Sequence, residues 1–199
     1  MKPNEESAIH SRYEIVPGGP VSDLFRSQGI TDLRSVLRWV QALRYERISN
    51  AQDVSLVVQE QRGTCSSKHA VVALLANEQG WNEVKLVGII YKMTEENTPG
   101  VGGVLKQRGI SYVIEAHTML RFKGLPVDIT GISTGSRSAL DDMLEEREMT
   151  VSELLNEKVM WHKAKWQRWL ESHPNGYNFE ENWLIREACI DALSKKAIT

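Results

Sequence analysis

The spacing of apolar residues predicts helices between residues 21 and 80 of the chain. Short helices are predicted over residues 21–28 and 53–61. A further helix begins at Cys65 and ends at Gly80, and its uninterrupted apolar run predicts burial on most sides. An amphipathic helix is predicted over residues 32–45, because its apolar residues recur every three or four positions: Leu33, Val36, Leu37, Val40 and Leu43.

The middle of the chain changes to the spacing of β-strands. Residues 84–93 form an apolar run typical of a buried strand. Residues 94–109 contain four glycines and one proline, which predicts a long loop. Loops of that length are uncommon unless they have a function, and this one leads into the next strand, so we expect it to cover a cleft.

Residues 110–130 have the pattern of a β-hairpin. Residues 110–122 alternate in polarity, Lys123 and Gly124 supply a turn, and residues 125–130 return as a second strand. Antiparallel pairing about this turn sets His117 opposite residue 130, within a diagonal of Asp128.

The last third of the chain is predicted to be helical. Residues 131–149 begin with Gly, Ser and Thr and become acidic, which indicates a surface connection. Capping boxes at Thr150 and Asn178 predict helices that run to about residues 170 and 195. Three tryptophans share the first of these helices, and packing is the commoner role of helical aromatic residues: Trp161, Trp166 and Trp169.

These elements together predict an α+β protein. The chain has 199 residues, enough for one domain with a sizeable core. Residues 1–20 are polar and end in Pro-Gly-Gly-Pro, which predicts a flexible arm before a single domain over 21–199. The helices at about 150–195 extend this domain at its C-terminal end.

Cys65 is the candidate nucleophile, because it falls where the buried helix begins. A helix N-terminus carries free N–H groups and a partial positive charge, and both favour the reactive thiolate. A lone cysteine is more often an inert core residue. His117 and Asp128 follow on adjacent strands, however, and could supply a base and an orienting acid.

This arrangement resembles the transglutaminase-like superfamily of papain-fold proteins. The resemblance rests on Gly63-Thr64-Cys65 at a helix start, on His117 within a strand and on Val127-Asp128-Ile129-Thr130, and it covers residues 54–131. It implies a central buried helix packed on an antiparallel sheet, with extra N- and C-terminal helices.

The resemblance also implies a Cys65–His117–Asp128 triad acting without a cofactor on a protein, peptide or small amide through an acyl-enzyme, with hydrolysis and acyl transfer both open. Candidate oxyanion donors are the Cys65 backbone and, by analogy with papain-like proteases, Gln59 or Gln61, although exposed helix positions suit these glutamines equally. The alternative is an inactive domain of the same fold whose C-terminal helices bind a protein partner.

Composition and charge limit the kinds of binding partner and the cellular compartment that we expect. The net charge of −2 disfavours nucleic acid and acidic membranes as bulk electrostatic partners. No signal peptide and no apolar stretch of about 20 residues is recognisable, so a reducing cytoplasm without a membrane partner is expected. Cys65 and His69 lie four residues apart and could share a metal with His117 and Asp128, but compact ligand pairs are missing and no metal is predicted.

Overall fold

The computed structural model of the protein describes residues 13–131 and 135–196 and confirms an α+β fold. The α-helices, numbered in chain order, are α1 (Pro20–Ser27), α2 (Leu33–Ala42), α3 (Leu56–Glu60), α4 (Cys65–Glu78), α5 (Gly102–Gln107), α6 (Val151–Ser172) and α7 (Phe179–Lys196). The strands are β1 (Val84–Met93), β2 (Val113–Phe122), β3 (Leu125–Val127) and β4 (Met143–Glu148), and a 3-10 turn covers Ala139–Asp142.

The four strands form one sheet in the order β3-β2-β1-β4. In the β2–β3 hairpin, Leu120 pairs with Val127 and Phe122 with Leu125, which is the register that the Lys123-Gly124 turn predicts. Strand β4 pairs antiparallel with β1, and the register shifts between Ile90 and Tyr91.

Three predictions about the strands and loops were wrong. The predicted loop 94–109 contains α5, and the predicted connection 131–149 contains β4. Strand β3 stops at Val127 rather than at residue 130, because the Asp128 carboxylate accepts hydrogen bonds from the backbone N–H and the hydroxyl of Thr130. Such local side-chain bonds compete with a strand ladder.

The protein divides into two compact units, and the first comprises the described residues up to Leu86 together with Met119–Gly131. Its helices α1, α2 and α3 all pack against α4. Residues 1–12 of the predicted flexible arm lie outside the described residues. Within the rest of that arm Tyr13 and Ile15 are buried, and the Ile15 N–H donates to the Thr31 carbonyl at 2.7 Å.

Glu78, at the C-terminal end of α4, caps the N-terminus of α1. Its carboxylate accepts the backbone N–H groups of Val21 at 2.9 Å and Ser22 at 2.7 Å, and the Ser22 hydroxyl at 2.6 Å. The N-cap residue of α1 is Gly19, which has no side chain to make these bonds. A carboxylate at this position also opposes the positive end of the helix dipole.

We expect Glu78→Ala to lower the free energy of unfolding by about 1–2 kcal/mol, since it leaves α1 without its cap. Glu78→Gln keeps an acceptor oxygen and should lose roughly half as much. Urea denaturation of the three proteins measures the difference. Equal stability of Glu78→Ala and the native protein would contradict the capping role.

The second unit comprises Val87–Thr118 and the described residues from 135 onward. Helices α6 and α7 pack together around aromatic side chains. Trp166 is 1% exposed, stacks on His162 and lies against Trp183 and Phe179. The prediction that tryptophans of this helix pack in the core is therefore confirmed for Trp166.

Candidate functional site

Cys65 is the first residue of α4, as the sequence predicts, and is 8% exposed. The Ser67 hydroxyl accepts the Thr64 N–H at 3.0 Å and thereby secures the start of the helix. Gly63 is needed here for close approach and not for an unusual turn. A Cβ at this position would lie 2.9 Å from both Ser67 Oγ and Lys68 Cγ, while its φ is not in the left-handed region.

His69, one turn into α4, joins the Cys65 backbone to the segment that carries Asp128. Its Nε2 accepts the Ile129 N–H at 2.9 Å, and its Nδ1 lies 2.7 Å from the Cys65 carbonyl oxygen. Since Nε2 is the acceptor, Nδ1 carries the proton and donates to that carbonyl. The imidazole is therefore neutral, and it is completely buried.

Lys68 binds the same segment from the neighbouring position of the helix. Its fully buried ammonium donates to the carbonyls of Thr130 at 2.8 Å and Leu43 at 2.6 Å, and lies 3.5 Å from that of Gln41. Burial lowers the pKa of Lys68 to about 8, and the negative charges of Asp128 and of a Cys65 thiolate oppose that shift. Its positive charge accordingly favours an anion at Cys65.

Asp128 lies directly after β3, with its carboxylate beside His69. Its Oδ1 is 3.5 Å from His69 Nε2 and accepts the Thr130 N–H at 2.8 Å. The side chain is 40% exposed, so an incoming group can reach it. Within the first unit, His69 thus joins the Cys65 backbone to the segment that carries Asp128.

His117 lies on β2 in the part of the strand that belongs to the second unit. Its half-buried ring meets the ring of Tyr91 edge-on, with 6.3 Å between the centroids. The Tyr91 hydroxyl is hydrogen-bonded to Thr98 Oγ1 at 3.0 Å. The prediction that His117 sits within a strand is confirmed, and its role as a base stays a prediction.

The two glutamines considered as oxyanion donors are both exposed. Gln59 lies on α3, and Gln61 is the C-cap of that helix in the left-handed conformation, with a φ of 51°. Gln61 ends the short helix that delivers the chain to Gly63. Their part in oxyanion binding stays a prediction.

The second cysteine, Cys189, is fully buried in α7. Burial raises the pKa of its thiol to about 12, and the neighbouring Glu115 charge acts in the same direction. A thiol held protonated in this way is a poor nucleophile. This environment suits the structural role that its apolar neighbours in the sequence predict.

The functions of Lys68 and His69 were not predicted from the sequence. Both residues interrupt the apolar character of a helix that is buried on most sides, and polar groups buried in this way need partners. Polar residues within an apolar, buried helix were thus the feature of the sequence that could have indicated these functions. Both imidazole nitrogens of His69 are hydrogen-bonded, one to the Cys65 carbonyl and the other to the Ile129 N–H.

Comparisons with known proteins supply no relative: no family model, no curated protein and no solved structure matches this chain. Among the described residues, no group of three or more His, Cys, Asp or Glu side chains is placed to hold a metal ion. No helix within residues 13–131 and 135–196 is long and apolar enough to cross a membrane.

Proposed function

We propose that the protein is a transglutaminase-like thiol enzyme of the papain fold that acts on an amide or peptide bond. The observation that carries the proposal is the link between Cys65 and Asp128. His69 holds the Cys65 carbonyl at 2.7 Å through one ring nitrogen and the Ile129 N–H at 2.9 Å through the other. A helix-start thiol and a carboxylate are the two outer members of a Cys-His-Asp triad.

His117 is proposed as the base, since it is the histidine that lies on the same hairpin as Asp128 in sequence. It takes the Cys65 proton, and the thiolate sulfur attacks the carbonyl carbon of the substrate amide. His117 then returns that proton to the departing nitrogen as the C–N bond breaks, which leaves a thioester on Cys65. Water or an amine attacks the thioester, loses its proton to His117 and releases the thiolate.

Three local features support the chemistry of Cys65. The helix start offers N–H groups to a developing oxyanion and a partial positive charge to the thiolate. The Lys68 ammonium adds a full positive charge that is screened from water. The Asp128 carboxylate, which is 40% exposed, suits a group that supports an imidazolium.

The test is the pH dependence of Cys65 alkylation by iodoacetamide, followed by mass spectrometry of the Cys65 peptide. A thiolate paired with His117 should react well below the pH at which a free cysteine ionises, about 8.5. His117→Ala should reduce the rate at pH 6.5 at least about tenfold and move the midpoint upward. Asp128→Asn should do the same to a smaller degree.

His173→Ala is the matched control, because His173 is an exposed histidine at the end of α6. It should leave the profile unchanged. A His117→Ala profile identical to that of the native protein would remove the thiol-enzyme proposal. Cys189 is not used as the reference thiol, since its burial alone slows its reaction.

A further inference from the structure

We infer that His69 is a positioning residue of the thiol site, which fixes the Asp128 segment against the first turn of the Cys65 helix. The inference rests on the proposed function. It follows from the two hydrogen bonds of His69, which span α4 and the segment after β3.

Two side chains of α4, His69 and Lys68, bind the backbone of this segment. His69 takes the Ile129 N–H at 2.9 Å, and Lys68 gives a hydrogen bond to the Thr130 carbonyl at 2.8 Å. Asp128 immediately precedes these two residues, and its own carboxylate is bound to the Thr130 N–H. With both backbone groups held, the position of the carboxylate relative to Cys65 is set.

The close passage of the chain supports this assignment. A Cβ at Gly131 would lie 2.2 Å from the Gln41 carbonyl oxygen and 3.3 Å from Lys68 Nζ, and its φ is +79°. The segment therefore passes tightly between the end of α2 and Lys68. Any movement of residues 128–131 has to break the hydrogen bonds to Lys68 and His69.

His69 is not the base itself. Both ring nitrogens are occupied, the ring is fully buried, and its hydrogen bond to Cys65 goes to the carbonyl oxygen and not to the sulfur. Its effect on Cys65 chemistry is exerted through Asp128 and the backbone of the helix start.

Two substitutions of His69 each remove one of its two hydrogen bonds and keep the other. Glutamine places an oxygen near the position of Nε2, so His69→Gln keeps an acceptor for the Ile129 N–H and loses the bond to Cys65. Asparagine places a donor near the position of Nδ1, so His69→Asn keeps the bond to Cys65 and loses the one to Ile129. Ser22→Ala, which removes a hydrogen bond to Glu78 at the opposite end of α4, is the control for a general loss of stability.

The first readout is the pH midpoint of Cys65 alkylation. His69→Asn should shift it upward as Asp128→Asn does, with a rate at pH 6.5 at least about tenfold below native. His69→Gln, which loses only the bond to Cys65, should have a rate between those of His69→Asn and the native protein, and Ser22→Ala should match the native protein. Equal profiles for the asparagine and glutamine variants would overturn the positioning role of the Nε2 bond.

The second readout is hydrogen exchange of the Ile129 amide, which does not depend on any chemistry at Cys65. It should be protected in the native protein and in His69→Gln and should exchange at least about tenfold faster in His69→Asn. If the native protein itself is alkylated at Cys65 with the midpoint of a free cysteine, the proposed function and the role of His69 in it are overturned. If the native protein shows the lowered midpoint but the Ile129 amide of His69→Asn exchanges as slowly as in the native protein, the inference alone is overturned.

Should the variants fail to fold, the native protein still decides the question. The ¹⁵N shifts of its His69 ring should show a protonated Nδ1 and a bare Nε2. A ring protonated on Nε2 could not accept the Ile129 N–H, and that result would overturn the inference.

Discussion

Glu115→Ala is expected to lower the free energy of unfolding by about 3 kcal/mol, because it removes the buried carboxylate that binds the Arg186 guanidinium and leaves that charge only the neighbouring Glu187 as a partner. Arg186 Nε and Nη2 donate to the two Glu115 oxygens at 2.6 and 2.7 Å, and the carboxylate is 4% exposed. Burial alone raises the pKa of Glu115, but the charge and hydrogen bonds of Arg186 outweigh it and lower that pKa to about 2.

The same pair makes the protein sensitive to acid. The folded-state pKa of Glu115, about 2, lies below the usual value of 4.5 for a free carboxyl. The stabilisation is therefore complete above about pH 4.5 and is lost as the pH falls toward 2, by on the order of 3 kcal/mol. Glu115→Ala should lack this part of the acid dependence.

Urea denaturation at pH 7 and pH 3 measures both effects. Glu157→Ala, which removes part of an exposed ion pair with Arg147, is the control and should change stability little. The double variant Glu115→Leu with Arg186→Met should recover much of the loss, because no charge is then stranded. A Glu115→Ala protein within about 1 kcal/mol of native would show that the pair is not a stability determinant.

Lys68 should make the first unit more stable in mild alkali. Burial lowers its pKa from 10.5 to about 8, so between these values the unfolded chain holds a proton that the folded protein has released. Stability therefore rises with pH across this window, by up to about 3 kcal/mol from this one group. Lys68→Met has no proton to release and should lack the rise.

The measurement is the difference between native and Lys68→Met in urea at pH 8 and at pH 10.5. The difference is needed because Cys189 acts the other way. Its folded pKa of about 12 exceeds the usual value of 9.0 for a free thiol, so its contribution to stability falls as the pH rises above 9. Both proteins contain Cys189, and its effect cancels. A constant difference between the two pH values would contradict the lowered pKa of Lys68.

Local signals were sufficient to predict most of the helices and the hairpin. Thr150 and Glu153 form the capping box at the start of α6, and the Lys123-Gly124 turn gives the observed register of β2 and β3. Strand β4 was missed because its sequence is largely charged, with three glutamates and one arginine in six residues. Such a strand has low intrinsic β-propensity and owes its conformation to pairing with β1.

In the candidate site, too, features set by neighbouring residues could be predicted, and features that depend on distant residues could not. The helix start at Cys65 could be found from Gly63 and the apolar run behind it. The functions of Lys68 and His69 could not, because their partners on Thr130 and Ile129 lie about sixty residues later in the chain. Only the tertiary structure brings these groups together.

The discontinuous first unit has a consequence for synthesis on the ribosome. When translation has reached Thr118, all the helices α1–α4 have been made, but Met119–Gly131 has not. Lys68 then lacks the Thr130 carbonyl, and His69 lacks the Ile129 N–H. Until Met119–Gly131 has been made, the buried polar side chains of the Cys65 helix therefore lack their final hydrogen-bond partners. A nascent chain becomes competent to complete this unit only when the short piece around Asp128 emerges, so the nucleophile and its distant carboxylate are secured in a single late event.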